Sequence, residues 1–206
     1  MLTELIHKNR LVLINKYSPR IKIKPILFLD RDGVVINDFG YISDKDSVTL
    51  REGIKELITL ASPSFNISII TNQSGIERGF FGWEEYRLVT EEIMRKLGKA
   101  SYNISSILAC GSIDSSNDDW RKPGPGMIKY ELDKTECDPS KCVIIGDKKS
   151  DMEAGNRIGI KRKIFLTTKV DTKEVICDKK YYKADEGLFR SSNILGIIHC
   201  FNNKFK

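Results

Sequence analysis

Five short apolar runs, at residues 25–29, 67–71, 106–110, 142–146 and 163–167, recur along this 206-residue chain with helical patterns between them. Ile54, Leu57, Ile58 and Ala61 repeat at helical spacing, as do Tyr86, Val89, Ile93 and Leu97. A third such stretch, Met127 to Leu132, follows the turn Gly124-Pro125-Gly126. Runs of about five residues suit buried strands, and strands that alternate with helices form a parallel sheet covered on both faces. The expected fold is therefore α/β, a Rossmann-like doubly wound parallel sheet. The chain shows no internal repeat and no low-complexity segment.

In such a sheet, ligands bind beyond the carboxyl ends of the strands. The first run ends in Asp30-Arg31-Asp32-Gly33. Two carboxylates this close repel one another unless a cation compensates them, and a hard cation beside carboxylates serves phosphate chemistry. The second run ends in Thr71-Asn72-Gln73-Ser74-Gly75, whose hydroxyl and amide groups can hold phosphate oxygens without adding charge. Arg121 and Lys122 sit side by side on a stretch stiffened by Pro123 and Pro125. The fourth run ends in Gly146-Asp147, with Asp151 four residues on, and Asp147 can complete a cation site with Asp30 and Asp32. Each segment alone reads as an ordinary turn, a basic loop or a helix cap.

The four segments in this order resemble the haloacid dehalogenase (HAD) superfamily of phosphohydrolases. The segments DRDGVV (30–35), DFGYI (38–42), TNQSGIERGFF (71–81), RKPGPGM (121–127) and GDKKSDMEAG (146–155) resemble, more narrowly, its histidinol-phosphate and D,D-heptose-bisphosphate phosphatase branch. The resemblance runs from Pro25 to Leu166. It implies a Mg²⁺-dependent phosphomonoester hydrolase that works through an aspartyl-phosphate, with a heptose 1,7-bisphosphate or a close sugar phosphate as substrate. Histidinol phosphate is the alternative substrate, a polynucleotide 3′-phosphatase is a further relative, and a non-catalytic binding protein of the same fold is the alternative of another class.

The resemblance assigns roles residue by residue. Asp30 is the nucleophile, and Asp32 protonates the leaving alkoxide and then activates water. Asp30 and Asp147 hold Mg²⁺ through their side chains, and Asp32 through its backbone carbonyl. Thr71, Asn72 and Lys122 hold the transferring phosphoryl oxygens, and Arg121 reaches the far end of the substrate. Asp151 has a subsidiary part, orienting a metal-bound water or a lysine, and Arg31 is left without a role. The gap between Gly33 and the helical pattern near Arg51 is loop-sized, so the fold is expected to be capless.

One departure concerns metal. Many members of the branch carry a zinc-stapled loop before the Arg-Lys-Pro segment, with Cys-x-His followed by Cys-x-Cys. Cys110-Gly111-Ser112 and Asp118-Asp119-Trp120 stand at those places, and Cys110 alone remains of the four ligands. No structural zinc is expected, because a tetrahedral site needs four ligands. Asp118 and Asp119 leave room for a cationic substrate such as histidinol phosphate.

Charge narrows the partners. Of the formal +6, residues 1–24 carry six cations against one carboxylate, which leaves only +1 for the rest. A body so nearly neutral argues against nucleic acid as partner. No apolar run approaches the roughly 20 residues that span a bilayer. The five cysteines are scattered and form no CxxC pair, which suits a reducing compartment. Both histidines, His7 and His199, lie outside the motif block. The expected organisation is a basic N-terminal extension (1–24), a HAD-like phosphatase domain (25–185) and a C-terminal helix or tail (186–206). The expected protein is cytoplasmic and monomeric, with a small sugar phosphate as partner and no nucleic acid or membrane.

Overall fold

The computed structural model describes residues 2–7, 9–166, 188–191 and 193–198. The chain builds one eight-stranded sheet from β1 (Leu2–His7), β2 (Arg10–Asn15), β3 (Ile26–Leu29), β4 (Asn66–Asn72), β5 (Ile104–Cys110), β6 (Val143–Gly146), β7 (Arg162–Leu166) and β8 (Leu188–Ser191). Its strand order is β1-β2-β5-β4-β3-β6-β7-β8. From β5 through β8 the neighbours are parallel, and β1 and β2 add an antiparallel hairpin at the β5 edge. The chain first steps outward from β3 to β4 and β5, then returns to place β6 on the other side of β3. That reversal is the switch point at which an open α/β sheet forms its crevice.

Among the described residues, four helices of eight residues or more cover the sheet: α1 (Ile54–Ala61), α2 (Trp83–Leu97), α3 (Gly126–Thr135) and α4 (Lys149–Arg157). Alternation along the strands divides the core in two. Leu27, Leu29, Ile67, Ile69, Val143 and Ile145 pack with the apolar stripes of α1 and α2. Ile26, Phe28, Ile70, Cys142 and Ile144 pack with Met127, Ile128 and Leu132 of α3 and Ala154 of α4. Both faces are thus buried, as a parallel sheet requires. The two inward serines of the central strands satisfy each other, Ser106 Oγ donating to Ser68 Oγ at 3.0 Å. Helix α2 is closed at its start by the Glu85 carboxylate, which accepts from the Gly82 amide at 2.8 Å.

The doubly wound sheet is the expected one, and among the described residues no domain interrupts it between β3 and α1 or between β4 and β5. The 33–53 segment is a loop pinned by single bridges from Ile36 to Asp32 and Leu50. The N-terminal residues differ from the reading as an appended extension. Residues 10–14 of β2 pair in antiparallel register with 106–110 of β5, and Leu11, Val12 and Leu13 are core residues. The boundary drawn at 185/186 lies outside the described residues, as do Leu166's neighbour at 167 and His199. Within the C-terminal stretch, 188–191 form β8 and 194–198 a helical turn whose Ile194 and Ile197 enter the core.

Candidate active site

The strand ends at the switch point converge on one buried cluster. The amide of Asp30 donates to Ile145 O at 3.0 Å, which fixes the first residue after β3 against β6. Asp30 Oδ1 accepts from the Arg31 amide at 2.8 Å and faces Lys122 Nζ at 3.0 Å. Lys122 Nζ also meets Asp151 Oδ1 at 2.6 Å and donates to Ile70 O at 2.9 Å. Two ion pairs and one hydrogen bond thus hold the ammonium. Burial pulls the Lys122 ammonium toward neutrality, but Asp151 and Asp30 more than reverse this, and its pKa ends above the ordinary lysine value. Burial pushes the Asp30 carboxyl up; Lys122 pulls it down, and the neighbouring Asp151, Asp32 and Asp147 push it up again, to about 8.

Two glycines make this crowding possible. A Cβ on Gly33, whose φ is +85°, would lie 2.2 Å from Asp147 Oδ2. A Cβ on Gly146 would lie 2.3 Å from Asp151 Cβ. Asp30, Asp147 and Asp151 thereby bring carboxylate oxygens within 4.8 Å of one another. Asp147 Oδ1 is buried with no hydrogen-bond donor among the described residues. Burial raises the Asp147 pKa, and the nearby Lys148 opposes it. An all-oxygen donor set with an orphaned carboxylate oxygen fits a hard cation such as Mg²⁺. Asp30, whose contacts fall on Oδ1, and Asp147, whose Oδ1 has no donor, each keep a carboxylate oxygen for such a cation. Asp151 is held from both sides, by Lys122 on Oδ1 and by the Lys148 amide on Oδ2 at 3.0 Å, so its visible task is to anchor the lysine.

Asp32 belongs to a second network. Its carboxylate accepts from Arg31 Nε at 3.2 Å and Nη2 at 3.0 Å, from Gln73 Nε2 at 2.8 Å and from Thr71 Oγ1 at 3.4 Å. Arg31 is buried, 5.2 Å over the Tyr86 ring, and Nη2 also reaches Gln73 Oε1 at 3.0 Å. Burial opposes the Arg31 charge, but Asp32 sustains it and raises the pKa. Arg31 and Gln73 are the residues that sequence reasoning left unassigned. Their signal lay within the segments themselves: a guanidinium between two carboxylates, and an amide two residues beyond a strand-end threonine.

The other expected positions divide. Thr71 lies in the cluster, its hydroxyl also accepting from Gln73 Nε2 at 2.7 Å. Asn72 spends its amide on backbone: Oδ1 accepts from the Lys122 N–H at 3.0 Å and Nδ2 donates to Lys122 O at 2.8 Å. It clasps the lysine's own peptide, and one Nδ2 proton remains for an incoming oxygen. Arg121 is tethered to the preceding loop, Nε to Asp114 Oδ1 at 2.5 Å and Nη1 to Ser112 O at 2.9 Å. Nη2 makes no hydrogen bond among the described residues. Cys110, Ser112, Asp118 and Trp120, the four positions of the zinc loop in the related branch, contact one another: Asp118 accepts from Ser112 Oγ at 2.8 Å, the Trp120 amide at 3.0 Å and Cys110 Sγ at 3.7 Å. Beside Asp147, Lys148 pairs with Asp38 at 3.2 Å; in the loops beyond, the exposed Tyr41 and Phe80 meet edge-on at 4.8 Å.

Residues 119–185 match the HAD-hydrolase-like family. A D-glycero-beta-D-manno-heptose-1,7-bisphosphate 7-phosphatase of Helicobacter pylori (strain J99) is 35% identical over 143 residues, 68% of this chain and 82% of that one. The enzyme of the same name from Mesorhizobium japonicum is 35% identical over 144 residues, and the chain spans 66% of its length. The D,D-heptose 1,7-bisphosphate phosphatase of B. bronchiseptica, solved with magnesium and phosphate, superposes with a TM-score of 0.73. That match covers 87% of this chain and 99% of the other at 20% identity, a likeness of fold.

Proposed function

The chain belongs to the haloacid dehalogenase-like phosphatases, in the branch of the heptose-1,7-bisphosphate 7-phosphatases, and on that footing we propose that it removes the C7 phosphate of D-glycero-D-manno-heptose 1,7-bisphosphate. The observation that carries this reading is the Asp30–Lys122–Asp151 ion-paired chain beside Asp147 at the switch point. Both contacts to Asp30 fall on Oδ1. Oδ2 is the atom that attacks phosphorus, in line with the departing sugar oxygen. The P–O bond to the sugar breaks, Asp32 gives that oxygen a proton, and an aspartyl-phosphate remains on Asp30. Asp32 then takes a proton from the water that releases phosphate. Arg31 and Gln73 hold the Asp32 carboxylate in place through both steps.

Mg²⁺, when bound by Asp30 and Asp147, supplies positive charge that offsets the crowded carboxylates and the phosphoryl oxygens. Lys122 supplies a fixed cation 3.0 Å from Asp30 Oδ1, the preorganised electrostatic part of the catalysis. Recognition falls to the loops at 37–50 and 110–126, where the free Nη2 of Arg121 offers a charge-assisted contact to the second phosphate. The structure weakens the argument for a cationic substrate. Asp118, which would have made the pocket acidic, is committed to Arg10 at 2.6 Å. The described cysteines Cys110, Cys137 and Cys142 are free and buried, which supports work in the cytoplasm.

The test is a side-by-side panel of phosphate esters with Mg²⁺ present and then chelated. The heptose bisphosphate should give the highest kcat/KM, and Asp30→Asn should lower kcat by several orders of magnitude, on the scale of other nucleophile deletions. A panel led by histidinol phosphate would overturn the substrate, and an Asp30→Asn variant within about tenfold of wild type would overturn the mechanism.

A further inference from the structure

We propose that Arg10, the first residue of β2, is a positioning residue for substrate recognition, acting on Arg121 through Asp118 and Ser112. The inference rests on Arg121 being the substrate contact proposed above.

The chain of contacts is continuous. The antiparallel register sets Arg10 opposite Cys110, the last residue of β5, and the Gly111 amide donates to Asn9 O at 2.7 Å. The hairpin thus lies against the start of the 111–122 loop. From there the Arg10 guanidinium forks onto Asp118, Nη2 to Oδ1 at 2.6 Å and Nε to Oδ2 at 3.5 Å, and stands 5.4 Å over the Trp120 ring. Asp118 Oδ2 accepts from Ser112 Oγ at 2.8 Å, and Ser112 O accepts from Arg121 Nη1 at 2.9 Å. The Asp118 side chain is 12% exposed, so its charge is mostly withdrawn from water and needs a partner.

No other cation contacts the Asp118 carboxylate among the described residues. Ser112, Trp120 and Cys110 satisfy its hydrogen bonds but do not neutralise it. Without Arg10 the carboxylate regains water by turning outward, which releases the Ser112 hydroxyl and the Trp120 amide together. Arg121 then keeps only Asp114 as a charged tether, and Asp114 is itself 83% exposed. Lys122 is insulated from this by its own clasp to Asn72 and its ion pairs with Asp30 and Asp151. The proposal therefore separates recognition from chemistry: losing Arg10 disturbs Arg121 and spares Lys122.

The experiment uses the full chain and the variants Arg10→Met, Asp118→Asn, Arg121→Ala and Arg10→Met/Arg121→Ala. With the heptose bisphosphate, Arg10→Met should raise KM about fivefold, the scale of one partly exposed ion pair, and leave kcat within about twofold. Values for p-nitrophenyl phosphate should stay at wild type. Asp118→Asn should reproduce the pattern. In the Arg121→Ala background, Arg10→Met should add nothing, because the two residues act in series. Amide hydrogen exchange in 112–121 should speed up in Arg10→Met while β3 and β4 keep their protection, a readout that needs no substrate. Unchanged KM, an additive double variant, or unchanged exchange in 112–121 overturns the proposal. Wild-type protein that ignores the bisphosphate instead overturns the substrate reading, and exchange alone then decides whether Arg10 orders the loop.

Discussion

Replacing Lys122 with Met keeps the length of the side chain and removes its charge. The ammonium is the counterion of Asp30 and Asp151 and a donor to Ile70 O, and the residue is 3% exposed. Without it, two buried carboxylates face each other across the vacated position; Asp30, raised to about 8, already holds a proton at pH 7, so the second carboxyl must now take one up as well. A carboxyl with an ordinary pKa near 4 costs about 4 kcal/mol to protonate at pH 7, at about 1.4 kcal/mol per pH unit. That agrees with the roughly 3–5 kcal/mol lost when a buried pair is broken from one side. The variant's carboxyl has a folded pKa raised above its unfolded value. Its stability is therefore present below about pH 4 and is lost as pH rises toward the folded pKa. The deficit of Lys122→Met against wild type should be about 4 kcal/mol near pH 7 and about 1–2 kcal/mol at pH 5. Urea titrations at both pH values measure it, and kcat should fall about 10²–10³-fold at either. A variant as stable as wild type at pH 7, or a deficit that does not change with pH, would refute the claim that Lys122 compensates these acids.

Two further outcomes follow from the same cluster. Gly33→Ala should cost about 1–2 kcal/mol from its left-handed backbone alone, and the displaced Asp147 should lower kcat/KM about a hundredfold, read from thermal melts and Mg²⁺-dependent assays. With Asp30 raised to about 8 in the metal-free protein, stability should fall as pH climbs from about 4 through 8. Added Mg²⁺ should therefore raise Tm progressively more across that window, and a metal-induced shift that is flat with pH would contradict it.

The five central strands and the order of the candidate site segments were legible because burial on both faces leaves short, largely apolar runs, such as Ile26 to Leu29, and because three of them end in acidic, hydroxyl or amide side chains. The hairpin was not. Residues 11–14 are an apolar run like the others, but no motif follows it, and nothing local marks β5 as the partner of β2. Site identity was legible to the level of residue type, whereas partnership was not. Asn72 advertises an amide, but that it grips the peptide of a residue 50 positions away is decided by where the β4 end and the 111–122 loop meet. Asp151 reads as the first turn of α4, and only the approach of Gly146 brings it against Lys122.

The antiparallel sense of β2 has a practical side. Because β2 runs against β5, the paired His7 and Arg10 sit on the ligand-facing rim of the sheet, while Leu2, paired with Asn15, sits at the opposite rim. An affinity tag or fluorescent fusion joined ahead of residue 2 thus hangs from the blind side of the enzyme. A short epitope spliced in beside Asn9 would stand near the substrate's doorway, the natural attachment point for a probe meant to sense occupancy.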